Sequence, residues 1–136
     1  MSSVYPLSRR RFRTTRNGML LSLLRRAYGM TQQELGDAIN GVTKFSVCRW
    51  EARGQQPHVA HRRQLAQLFA VPSFAKEWGA PVLNADADAQ HYALVHARAA
   101  LARAHVTIND DELRALALGE RTWRAPQTTD GPAQPR

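Results

Sequence analysis

The sequence is short of several things, and each shortage excludes something. One cysteine, Cys48, has no partner for an internal disulfide, which suits a reducing compartment. No apolar stretch approaches the ~20 residues a membrane-crossing helix requires. Strand-like alternation and internal repeats are missing. So are a phosphate-binding loop, a zinc-ligand series and a nucleophile–base arrangement, which argues against an enzyme and against any cofactor or metal. His58 and His61 share a helix face, but two ligands are too few for an ordinary zinc site. Lysine is nearly absent too, with only Lys44 and Lys76, so the basicity rests on arginine.

That basicity is the first positive feature. The formal net charge is +8, and it is unevenly placed. Residues 1–70 hold twelve Arg and Lys against three Asp and Glu, whereas residues 71–136 hold seven against eight. Such asymmetry implies a front half that meets a polyanion and a back half with another task. Charge alone leaves DNA, RNA and anionic lipid open.

Residues 7–26, LSRRRFRTTRNGMLLSLLRR, pose a choice of compartment. Ser8-Arg9-Arg10-Arg11-Phe12 is similar to a twin-arginine export motif, which requires a longer apolar core and a small-residue cleavage site. Here the apolar run 18–24 ends at Arg25-Arg26, and Ala27-Tyr28-Gly29-Met30 offers no such site. Residues 1–17 therefore read as a basic flexible arm, and the expected location is cytoplasmic.

Helical periodicity and caps predict an all-α chain. Asn17 is the expected cap of a helix over 18–28, with Leu20, Leu21, Leu24 and Ala27 inward. Thr31-Gln32-Gln33-Glu34 is a capping box opening a second helix at 32, with Leu35, Ala38 and Ile39 inward. Asn40-Gly41 marks a turn, and Thr43 caps a third helix reaching about Arg53, with Val47 and Trp50 inward. A fourth helix, 58–70, carries Val59, Leu65, Leu68 and Phe69. Pro72-Ser73 opens a fifth running to Trp78. Residues 79–85 read as a linker, followed by a long helix to about His105. Asn109 caps a last helix ending at Leu118, and 124–136 read as a disordered tail.

A pair of short helices joined by a glycine-containing turn, the second polar outside, is the pattern of a helix-turn-helix. Met30-Thr31-Gln32-Gln33-Glu34-Leu35, Gly41-Val42-Thr43, Val47-Cys48-Arg49-Trp50-Glu51, Gly54, Pro57 and Leu65 to Val71 carry the comparison further. Over roughly residues 18–78 the chain resembles the Cro/repressor-type (xenobiotic-response-element) helix-turn-helix family, which includes phage immunity repressors. One extra residue between Leu35 and Glu51 falls at the turn near Asn40. Gly36 stands where the family carries alanine and keeps a close helix crossing.

The resemblance implies a five-helix domain over 18–79 that reads double-stranded DNA, followed by a helical module over 80–123. Thr43, Lys44, Phe45, Ser46 and Arg49 are then the base-reading face. Arg49 would serve guanine and Phe45 thymine methyls, since they lie one turn apart. Gln32, Gln33 and Arg53 would meet phosphate. Arg9, Arg10, Arg11, Arg13 and Arg16 would follow phosphates or enter the minor groove. The plainer alternatives are that Phe45 is core, that Arg49 pairs with Glu51 or Glu34, and that the arm is a solvated tail.

In the back half, Tyr92, Val95, Ala99, Ala102 and Val106 form one apolar stripe, and Leu94, Ala97, Leu101 and Ala104 another. One side is expected to meet Leu113 and Leu116, the other the front domain or a second subunit. Two assemblies follow: a homodimer through these helices, or a monomer whose module contacts DNA again through Arg98, Arg103, Arg114 and Arg121. The expected function is a transcriptional regulator, a repressor of phage or mobile-element type. The rival is an antitoxin or other protein-binding module on the same fold.

Overall fold

The computed structural model describes residues 13–83 and 87–117. Seven helices dominate them: α1 (Arg16–Ala27), α2 (Gln32–Ala38), α3 (Lys44–Ala52), α4 (Val59–Phe69), α5 (Ser73–Lys76), α6 (Ala87–Arg103) and α7 (Asp110–Ala117). Two short strands, β1 (Arg13–Thr15) and β2 (Pro81–Leu83), pair antiparallel with Thr14 opposite Val82. Among the described residues no helix is long and apolar enough to cross a membrane.

Local chemistry accounts for most helix starts. Thr31 accepts from the Glu34 amide at 3.0 Å while Glu34 accepts from the Thr31 amide at 2.8 Å, the reciprocal box expected there. Thr43 caps α3 through the Ser46 amide, and Asn109 caps α7 through the Glu112 amide at 2.8 Å. The first helix departs from expectation. Its cap is Thr15, whose hydroxyl accepts from the Gly18 amide at 2.8 Å. Asn17 lies inside the helix and only 2% exposed. Its side-chain nitrogen donates to the Glu77 carbonyl at 2.6 Å, and its oxygen accepts from the Tyr92 hydroxyl at 2.8 Å.

Residues 13–17, expected as part of the arm, instead form β1 and the start of α1. Residues 13–15 form a strand because residues 81–83, expected as linker, supply the matching backbone groups. Arg9, Arg10, Arg11, Arg121 and the 124–136 tail lie outside the described residues.

The core runs from α1 to α7 without a break. Leu20, Leu21, Leu24, Leu35, Val47, Trp50, Leu65, Phe69, Phe74 and Trp78 join Ala93, Ala97, Leu101, Leu113 and Leu116 in one cluster. On α4, Leu65 and Phe69 are buried, whereas Val59 and Leu68 are exposed. The inward side of α6 follows expectation only in part. Ala97 and Leu101 of the second stripe are buried, joined by Ala89, Ala93 and Ala100, whereas Val95, Ala99 and Ala102 of the first face outward. Small side chains at near-helical spacing let α6 lie close along α1, and that backbone proximity outweighs the larger Val95. The back half thus covers α1 of this same chain.

Candidate nucleic-acid interface

The turn before α3 needs unusual backbone. Asn40 and Gly41 both have left-handed φ, 64° and 71°, and a side chain on Gly36 would overlap the Val42 carbonyl oxygen. Glycine at 36 therefore lets the turn return tightly over α2 and sets where α3 starts.

α3 divides cleanly by period. Val47, Trp50 and Glu51 are buried, while Thr43, Lys44, Phe45 and Arg49 are exposed and Ser46 and Cys48 half-buried. Phe45 is 62% exposed, so the core alternative for it does not hold. The Lys44 ammonium lies 5.5 Å from the Phe45 ring centroid, within cation–π range. The Thr43 hydroxyl is committed to capping through the Ser46 amide.

Glu51, expected only as a motif residue or a partner of Arg49, organises the region. Only 6% exposed, it accepts from Arg25 Nε at 2.7 Å and Nη2 at 3.1 Å. It also accepts from the Gln32 side chain at 3.1 Å, so Gln32 is half-buried and tied inward. Arg25 donates as well to the Met30 carbonyl at 2.8 Å. One carboxylate thereby joins α1, α2 and α3. The clue was available: positions 47, 50 and 51 share a helix face, so an acid beside inward Trp50 must be buried and needs a cation.

This arrangement decides which charges face outward. The front half has three acids. Glu51 is neutralised by Arg25, Glu34 is held in the capping box, and Asp37 accepts from Gln33 at 3.1 Å. Neither Glu51 nor Glu34 pairs with Arg49. Among the described residues Lys44 and Arg49 form no ion pair. Arg53 and Arg63 are exposed nearby in sequence, and Arg62 donates to Gln56 at 3.1 Å. Burial and neighbouring Arg25 hold the Arg26 guanidinium below arginine's ordinary value, with Glu51 pulling the other way. It remains a cation all the same.

The remaining arginines behave differently. Arg16 opens α1 and is exposed, its guanidinium 5.5 Å from the Tyr92 ring centroid. Arg98 pairs with Asp110 at 3.1 Å, and Arg103 donates to the Ala70 carbonyl at 2.6 Å. Ala70 ends α4 in a left-handed conformation, so Arg103 serves as a cap from a distant helix. Arg114 is exposed near the end of α7. The chain gives no match to family models, to curated proteins or to solved structures.

Proposed function

We propose that this chain is a sequence-specific double-stranded DNA-binding transcriptional regulator of the Cro/repressor helix-turn-helix type, acting as a repressor by occupying its site. α2 and α3 are the paired helices in this reading, and α3 enters the major groove. The observation that carries it is the outer side of α3: Lys44, Phe45 and Arg49 stand exposed, while Val47 and Trp50 anchor the opposite side. A helix of this size fits the major groove, where each base pair presents a distinct edge. Arg49 is suited to two hydrogen bonds with guanine, Phe45 to thymine methyls, and Lys44 to guanine or phosphate. The turn, residues 39–43, is slightly longer than the three or four residues usual for such pairs, which agrees with the extra residue near Asn40.

The test is footprinting on genomic fragments, followed by competition between the protected site and random duplex. Arg49→Ala is expected to lose ~1–3 kcal/mol on the protected site and little on random duplex. Equal losses on both would falsify a reading role for Arg49. Light scattering on the complex separates a dimer, with half-sites ~34 Å apart, from a monomer on one asymmetric site. A second reading rests on Phe45 itself. An exposed aromatic suits a protein partner as well, as in an antitoxin. Specific co-purification of a partner with wild type but not Phe45→Ala, together with no footprint, would favour it.

A further inference from the structure

A groove of about 310 Å³ lies where the first turn of α1 meets the first half of α6, lined by Arg16, Asp88, His91, Tyr92, Val95 and His96. It is outside the α3 face, and nothing said so far about reading DNA uses its histidines. Its floor is held in place. The Tyr92 hydroxyl donates to buried Asn17, which fixes the ring against α1. The Arg16 guanidinium sits 5.5 Å from that ring's centroid, and the His96 ring packs against it with centroids 4.2 Å apart. Among the described residues Arg16 forms no ion pair, although Asp88 lines the same groove. One guanidinium and two imidazoles thus line the same groove, and their N–H groups are donors suited to an anion.

We propose that this groove binds a phosphate group of a nucleic-acid backbone, with Arg16 as the principal cation and His91 and His96 beside it. The proposal rests on the DNA-binding reading and adds a second point of attachment, supplied jointly by α1 and the back half. Its location follows from the fold. Arg16 directly follows β1, and β1 packs against the carbonyl end of α3 through a hydrogen bond from Thr14 to the Glu51 carbonyl. β1 therefore ties the first turn of α1, where Arg16 lines the groove, to α3. Asp88 opposes an anion there and limits the affinity.

The full-length chain tests it on two arms. In the first, inorganic phosphate is titrated while the imidazole resonances of His91 and His96 are followed, with chloride at matched ionic strength as control. Phosphate is expected to move both, and chloride neither. In the second, duplex binding is measured against salt for wild type, Arg16→Gln, His96→Gln and Asp88→Asn, all exposed positions, with thermal melting to verify folding. Arg16→Gln should weaken specific and random duplex alike by about three- to tenfold and lower the salt slope by about one. His96→Gln should weaken both by a smaller factor, and Asp88→Asn should tighten both about two- to threefold. Unmoved imidazoles, or Arg16→Gln and Asp88→Asn that leave affinity and slope unchanged, overturn the site. If wild type binds no duplex while phosphate still moves the imidazoles, the regulator reading fails instead, and the nucleic-acid source of the phosphate is overturned with it.

Discussion

The outer sides of α3 and of α6–α7 both carry cations, yet they differ in what those cations are doing. On α3, Lys44 and Arg49 project with no carboxylate partner among the described residues: Glu51 is paired with Arg25, Glu34 sits in its capping box and Asp37 accepts from Gln33. On the back half, Arg98 is paired with Asp110 and Arg103 caps the end of α4. The first turn of α7 adds Asp110, Asp111 and Glu112. Counting basic residues would rank these surfaces closer than their chemistry does. What a phosphate meets is the charge left over after internal pairing.

The largest expected effect comes from removing the partner that keeps Arg25 off the surface. Glu51→Ala strands a nearly buried guanidinium and frees Gln32, so it should cost ~3–5 kcal/mol in urea unfolding. A loss under ~1 kcal/mol would mean that the junction of α1, α2 and α3 does not depend on this carboxylate. Next comes Gly36→Ala. Helix propensity alone predicts a gain of up to ~1 kcal/mol, but the clash with the Val42 carbonyl should turn it into a loss of ~1–3 kcal/mol. The sign of that change is the measurement, and a gain rules out the close turn.

Smaller effects sharpen the contrast between the two surfaces directly. Lys44→Ala should reduce the salt slope of duplex binding by about one, whereas Arg98→Ala should leave slope and affinity nearly unchanged. Arg98→Ala should also cost less than ~1 kcal/mol of stability, since its pair with Asp110 is exposed. A matching loss of slope for the two variants would erase the distinction. The smallest effect is alkaline. Burial raises the Tyr28 hydroxyl above its ordinary value, so the unfolded chain ionises there first and releases its proton at lower pH. Stability is therefore full below about pH 10 and falls as pH rises beyond it. Tyr28→Phe should flatten that part of a melting-temperature profile taken from pH 9 to 11.

Particular residues show how far a linear reading reaches. The boxes at Thr31–Glu34 and Asn109–Glu112 were legible because both partners lie three residues apart. The inward placement of Val47 and Trp50 was legible from the period of α3. Asn17 was misread, since an asparagine before an apolar run looks like a cap whether or not Thr15 already fills that role. Residues 13–15 and 81–83 were misread because two three-residue strands carry no alternation long enough to notice. The alanine side of α6 was hidden by hydropathy, which ranks Val95 above Ala93 and ignores how close two backbones can come.

What the sequence determined by itself was the uneven charge, the order of helices and the side of α3 that faces out. Those depend on composition and on contacts a turn or less apart. Only the tertiary structure decided that Glu51 belongs to Arg25, that Arg103 belongs to the end of α4, and that Arg16, Tyr92 and His96 share one groove. Such pairings depend on helices brought together across tens of residues by their buried sides, and polar partners are settled only once that packing has excluded water.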